Sequence, residues 1–154
     1  MESVLKIAAY ICLRYKDEFH SEIDEMKLHK LLYFSQREAI IQTSEAMFTE
    51  PFQAWQYGPV MVCVRKHFGE STLSELPSKP FIEKYKSSFD RVFKQYAPLD
   101  SWSLSRLTHG EISWKRARVG FAPEDQCTNN MDIEDIKLDA KNAKLRRALL
   151  SVIR

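Results

Sequence analysis

Glycine is scarce in this chain, with four residues in 154, and 44% of the residues are hydrophobic and 29% charged. That composition excludes a collagen-like chain and extensive disorder. Cysteine is limited to Cys12, Cys63 and Cys127, an odd number and widely spaced. No disulfide framework follows from such spacing, and a reducing compartment fits best. Long apolar runs are missing: none approaches the roughly eighteen residues that suggest a membrane span. The opening Met1-Glu2-Ser3-Val4-Leu5-Lys6 lacks a basic segment followed by a long apolar one, so no secretory leader is read there and a cytoplasmic protein is expected. Charge of one sign is not in excess either, with 23 basic and 21 acidic residues giving a formal +2. Net charge alone therefore calls for no polyanionic partner. What remains is a one-domain length, enough to bury about two thirds of the unfolded surface behind one core.

Helical periodicity dominates what is present. Val4, Ile7, Ala8, Ile11, Cys12 and Tyr15 mark a first helix ending near Lys16-Asp17-Glu18. A second runs from about Ile23 to Ile41 and is apolar on two sides, with Leu28, Leu31, Leu32 and Ala39 on one and Met26, Tyr33 and Ile40 nearly opposite. A helix of that kind belongs in the middle of a bundle, here with Lys27 and Lys30 at its solvent edge. Pro51 and the aromatics of Phe52–Tyr57 favour a short extended segment. Pro59 is then expected to open a short helix from Val60 to Phe68, stopped by Gly69. Phe81, Ile82, Tyr85, Phe89, Val92, Phe93 and Tyr96 fall within an arc of about 120° and predict one strongly amphipathic helix. Asp100 or Ser101 can cap the next short helix. Thr108-His109-Gly110-Glu111 has capping-box spacing ahead of a helix carrying Trp114 and Ala117. Residues 119–130 read as a loop, and Asp132 caps a last helix. The expected fold is mainly α, a compact single-domain helical bundle over residues 1–154 with at most a short β element.

Three places carry candidate functional residues. Trp55 and Tyr57, just before the Gly58-Pro59 break, are either packing cornerstones or a presentation surface. His109 is the residue that the capping box leaves unexplained. In the last helix Ile136, Ala140, Ala143 and Leu150 form one apolar stripe, and Leu138, Leu145, Leu149 and Val152 form a second. The second stripe is either core or a surface for a partner, with Lys141, Arg146 and Arg147 flanking it to steer an acidic one. Catalysis has a single seed, because His109-Gly110-Glu111 matches half of a zinc-deaminase signature, but no Pro-Cys-x-x-Cys follows. No HExxH helix, phosphate-binding glycine loop or nucleophile elbow occurs, and His20, His29, His67 and His109 lack ligand spacing. A nucleic-acid reading rests on Lys137, Lys141, Lys144, Arg146, Arg147 and Arg154. Acids in the first turn and bases in the later turns are what the helix dipole favours without any ligand, so a solvated helix is preferred.

Three segments also resemble one family. Met26-Lys27-Leu28-His29-Lys30-Leu31-Leu32-Tyr33-Phe34-Ser35-Gln36, Phe52-Gln53-Ala54-Trp55-Gln56-Tyr57-Gly58-Pro59-Val60 and Leu107-Thr108-His109-Gly110-Glu111-Ile112-Ser113-Trp114-Lys115-Arg116-Ala117-Arg118 stand in the order and approximate spacing of the SocA-like antitoxins, the Panacea domain. His29 stands where the resemblance leads one to expect glutamine, and the C-terminal helix is more basic than expected. The resemblance implies a bacterial, prophage or phage protein that neutralises a toxin encoded beside it by direct binding. A protease adaptor delivering the toxin for degradation, and a phage or prophage regulatory interaction protein, are the alternatives. The partner-binding candidates are Trp55, Tyr57, His109, Trp114, Arg118, Leu145 and Leu149. The expected partner is a cognate toxin, with a second copy of this chain as another occupant of the apolar stripe. No catalytic residue, cofactor, metal, membrane or nucleic-acid partner is expected, nor an added helix-turn-helix module.

Overall fold

Capping residues set the first two helices. Ser3 accepts the Leu5 N–H at 3.2 Å to start α1 (Val4–Phe19), and His20 closes it in the left-handed region, its N–H on the Lys16 carbonyl. Asp24 accepts the Lys27 N–H at 2.8 Å to start α2 (Glu25–Thr43), which Ser44 closes in the same way. The computed structural model describes residues 1–153, so Arg154 lies outside the described residues.

The chain then forms a two-stranded antiparallel hairpin, β1 (Gln53–Trp55) and β2 (Gly58–Val60), with Trp55 opposite Gly58 and Ala54 opposite Pro59. Helices follow as α3 (Val62–Gly69), α4 (Lys79–Lys84), α5 (Lys86–Gln95), α6 (Ser101–His109), α7 (Ile112–Ala117) and α8 (Ile133–Ile153). The fold is thus mainly α with one small sheet, as its sequence leads one to expect. No helix among the described residues is long and apolar enough to cross a membrane.

Helix α2 is the axis of the molecule. It packs against α1, α5, α6, α8 and β2, and every residue from Lys27 to Ile40 is buried. The two-sided apolar pattern of α2 is thereby explained, but no solvent edge is left for its lysines. Lys27 is buried, with its ammonium on the Tyr15 hydroxyl and the Ala97 carbonyl, and Lys30 is buried more deeply still. Glu38, also buried, accepts both terminal nitrogens of Arg147 at 2.8 Å and so ties α2 to α8.

Two further expectations change. Pro59 does not open a helix. It sits in β2, where a residue lacking an N–H is tolerated because the strand has a free edge, and α3 starts after Met61 without a side-chain cap. The helix expected over Phe81–Tyr96 is two, because Tyr85 leaves the helical region at φ −104° and ψ 14°. Helical bonds continue on both sides of Tyr85, to Phe81 before it and from Phe89 after it, so the apolar arc runs across the break unchanged. Periodicity alone does not register such a break. Asp100 caps α6, and Asp132 accepts the Glu134 N–H at the start of α8.

Candidate partner-binding site

The hairpin is held from beneath by residues of all three sequence motifs. Gly58 has a φ of +114°, and a Cβ there would lie 2.6 Å from Thr108 Oγ1 and 2.7 Å from Lys30 Cε. Only glycine satisfies both the left-handed backbone and the close approach. Trp114 donates its indole N–H to the Trp55 carbonyl at 2.8 Å, and His109 stacks on the Trp114 ring with centroids 4.2 Å apart. Arg118 lies over the same Trp114 ring, 5.0 Å from its centroid, and donates to the carbonyls of Ala54, Ala122 and Asp125. Five of the seven residues singled out in the sequence therefore gather around the hairpin. They divide by role. Trp114 and Arg118 are buried and engaged internally: their polar groups fix the hairpin to α7 and to the loop after it. His109 is half-buried against Trp114, and its Nε2 is buried without a hydrogen-bond partner among the described residues.

The outer face of the hairpin is different. Tyr57 at its tip is 47% exposed and meets Trp102 of α6, 55% exposed, edge to face at 5.3 Å. Trp102 is a contact candidate that sequence reasoning passed over, because its neighbour Tyr57 is 45 residues away along the chain. Trp55 is half-buried, with its N–H on the Gln53 side chain and the Arg65 guanidinium 5.3 Å from its ring. Between this face and the first turns of α2 lies a cleft of about 540 Å³ bordered by Met26, His29, Lys30, Trp55, Val60 and Arg65.

His29 organises one wall of the cleft. Its Nδ1 accepts the Met61 N–H at 3.2 Å, so its proton is on Nε2, which donates to Glu25 at 3.1 Å. Burial holds its pKa below the usual range and keeps the ring neutral. A glutamine amide offers the same acceptor and donor, so the departure at position 29 preserves the hydrogen-bond logic. Glu25 also accepts from Arg65, and the hydrogen bond with His29, joined by that pairing, lowers its pKa.

Lys30 is only 1% exposed, and its ammonium donates to the Pro59 carbonyl at 3.3 Å. Burial pushes its pKa down from 10.5 to about 8. Because the folded value is depressed, the folded protein holds fewer protons than the unfolded chain between these two values. Stability therefore rises with pH across that window, and is lost as pH falls through the folded value. Wild-type protein is expected to gain on the order of 2–3 kcal/mol between about pH 8 and pH 10.5 relative to Lys30→Met. Urea unfolding at a series of pH values measures this, and parallel profiles for the two proteins would contradict it.

The expected capping box does not form. Thr108 lies inside α6 with its hydroxyl donating to the Ser105 carbonyl at 2.7 Å, and Glu111, which precedes α7, makes no side-chain cap. The N-terminal amides of α7 go instead to Asp139 of α8, from Ile112 at 2.7 Å and Ser113 at 3.2 Å. Glu111 turns inward to Arg37 at 2.9 Å and to the Tyr33 hydroxyl at 2.6 Å, while Tyr33 also lies 2.8 Å from Asp139. One hydroxyl proton cannot serve two ionised carboxylates, so both contacts are satisfied together only when one of the two carboxyls is protonated. Burial raises the Glu111 pKa in that direction, against the pull of Arg37.

Leu145 and Leu149 stand apart from this group. They are 53% and 62% exposed on the outer face of α8, with Leu138 and Val152 on the same ridge also exposed. The inward stripe is real for Ile136, Ala140 and Ala143, which are buried, but Leu150 is exposed too. α8 packs on α2 and α7, and its buried residues, Ile136, Asp139, Ala140 and Ala143, all lie in its first half. Arg147 is not available to steer a partner, since Glu38 holds it; Lys141 and Arg146 remain exposed.

These three motifs are far apart in sequence and are brought into one assembly by α2, the hairpin and α7. A family model described as Antitoxin SocA-like, Panacea domain matches residues 28–115, more than half of the chain. No curated protein and no solved structure matches the chain. The matched range opens within α2, contains the hairpin and Gly58, and closes in α7 one residue after Trp114. The chain belongs to the SocA-like antitoxin family, as a bearer of its Panacea domain.

Proposed function

We propose that this protein is an antitoxin that neutralises a toxin encoded beside it by binding the toxin protein directly, in the cytoplasm, without turnover and without a cofactor. The observation that carries the reading is the family match over residues 28–115. The geometry supports a binding role with two surfaces that the fold leaves open: the aromatic rim at Tyr57 and Trp102, and the outer ridge of α8 at Leu145 and Leu149. Tyr and Trp are the side chains most often found at the energetic centre of protein interfaces. An exposed apolar ridge is a surface whose burial stabilises a complex.

The α8 ridge is assigned to the toxin rather than to a second copy of the chain. From Ala140 to Ile153 the helix contains no acidic residue, and Lys141, Lys144 and Arg146 are exposed along it. Self-pairing would bring base against base, whereas an acidic, amphipathic partner surface meets both the apolar ridge and its flanks.

Expression of the neighbouring gene alone is expected to arrest growth, and co-expression with this chain to restore it and to yield a complex that co-purifies. A neighbour that is harmless alone, or toxic but never bound, would contradict the reading. A protease adaptor is distinguished by rescue that vanishes in hosts lacking the relevant protease.

A further inference from the structure

Lys30 is a charge that the fold leaves without a counter-charge. Its ammonium has three N–H donors and one hydrogen bond, to the Pro59 carbonyl. No carboxylate of the described residues forms an ion pair with it, and the two acids at the start of α2 are otherwise engaged. Asp24 caps the helix and accepts from Ser101, while Glu25 is shared between His29 and Arg65. Burying an ammonium without a partner is costly, and an apolar side chain of similar length would remove the cost. Lys30 is also one of the residues lining the cleft of about 540 Å³ beside the hairpin, a volume within the usual range of ligand sites. Met26, Trp55 and Val60 give it apolar walls, and Gln56, Gln126 and Thr128 add polar groups between them.

We propose that this cleft receives an acidic side chain from an inserted segment of a protein partner, an Asp or Glu flanked by apolar residues, with Lys30 as the ion-pair partner of its carboxylate. The charge complement comes from Lys30, and the apolar walls favour the neighbouring side chains of a peptide over a hydrated inorganic anion. Arg65 at the rim, half-exposed, adds positive potential at the entrance; the negative charge of Glu25 beside it is offset by that same arginine. Tyr57 and Trp102 stand nearby as rigid aromatic contacts for the segment as it enters. This deepens the antitoxin reading and rests on it for its biological meaning: the inserted segment would belong to the toxin.

Peptides displayed on phage test the cleft without the toxin. Random peptides are selected on the full chain and counter-selected on Lys30→Met. Enriched peptides are expected to share an Asp or Glu next to an apolar residue, and to lose at least about tenfold in affinity both on Lys30→Met and on replacement of their own acid by its amide. The second comparison uses wild-type protein throughout, so it stands even where Lys30→Met folds poorly. Carbodiimide coupling is expected to join the peptide carboxylate to Lys30, mapped by mass spectrometry. Selected peptides without a shared acid, or coupling only to surface lysines, would overturn the proposal. Complete displacement by acetate would also overturn it, by making the site one for small anions. Failure here would leave growth rescue by co-expression untouched, and absence of that rescue would leave the peptide result untouched.

Discussion

Replacing Asp139 by alanine is expected to cost about 3–5 kcal/mol of stability, the penalty typical of breaking a buried, charged hydrogen-bond network. Asp139 is buried and serves four donors: the amides of Ile112 and Ser113, the Ser113 hydroxyl and the Tyr33 hydroxyl. Its removal strips α7 of its cap and leaves several buried donors without acceptors. A domain of this size is stable by only about 5–15 kcal/mol, so about a fifth of the total or more is at stake. The denaturation midpoint in urea measures the loss. Asp139→Asn, which keeps one carbonyl oxygen for the α7 amides, is expected to fall between alanine and wild type. A loss below about 1 kcal/mol for Asp139→Ala would show that α7 is held by other contacts.

The second large effect concerns binding. Leu145→Ser combined with Leu149→Ser is expected to weaken the toxin complex by about 2–3 kcal/mol, roughly 30- to 150-fold in Kd, because two half-exposed leucines lose the apolar area that a partner would cover. The monomer is expected to unfold within about 1 kcal/mol of wild type, since neither side chain is core and serine is only slightly poorer than leucine in a helix. Calorimetric titration and urea unfolding of the same samples separate the two. Unfolding of the variant monomer would place the ridge in the core, and unchanged affinity would move the interface elsewhere.

These two residues were legible in the sequence as a second stripe on α8, because an amphipathic pattern with two faces announces that one of them needs something to cover it. The same reasoning identified α2 as the central helix. It failed at Lys30, where a lysine among apolar residues reads as a solvent edge, because periodicity does not say that α1, α5, α6, α8 and β2 close around every side. The Thr108–Glu111 spacing failed for a related reason. A capping box is a local pattern, and here both ends are drawn to distant partners: Glu111 to Arg37 and Tyr33, and the α7 amides to an aspartate 26 and 27 residues further on. Trp114 and Arg118 were correctly singled out as part of a motif, but the motif builds the hairpin's support. Trp55 and Tyr57 sit on that support, and only their packing in three dimensions shows that Tyr57 faces out with Trp102.

Titration of purified toxin with this purified protein is the most direct measurement of the central claim, that neutralisation is occupancy by a bound antitoxin. Toxin activity is expected to fall in proportion to added protein and to vanish at a fixed stoichiometric ratio, with no protease, nucleotide or metal supplied. Toxin that stays fully active at every ratio, although co-expression rescues growth, would contradict direct neutralisation and leave delivery to a protease as the mechanism.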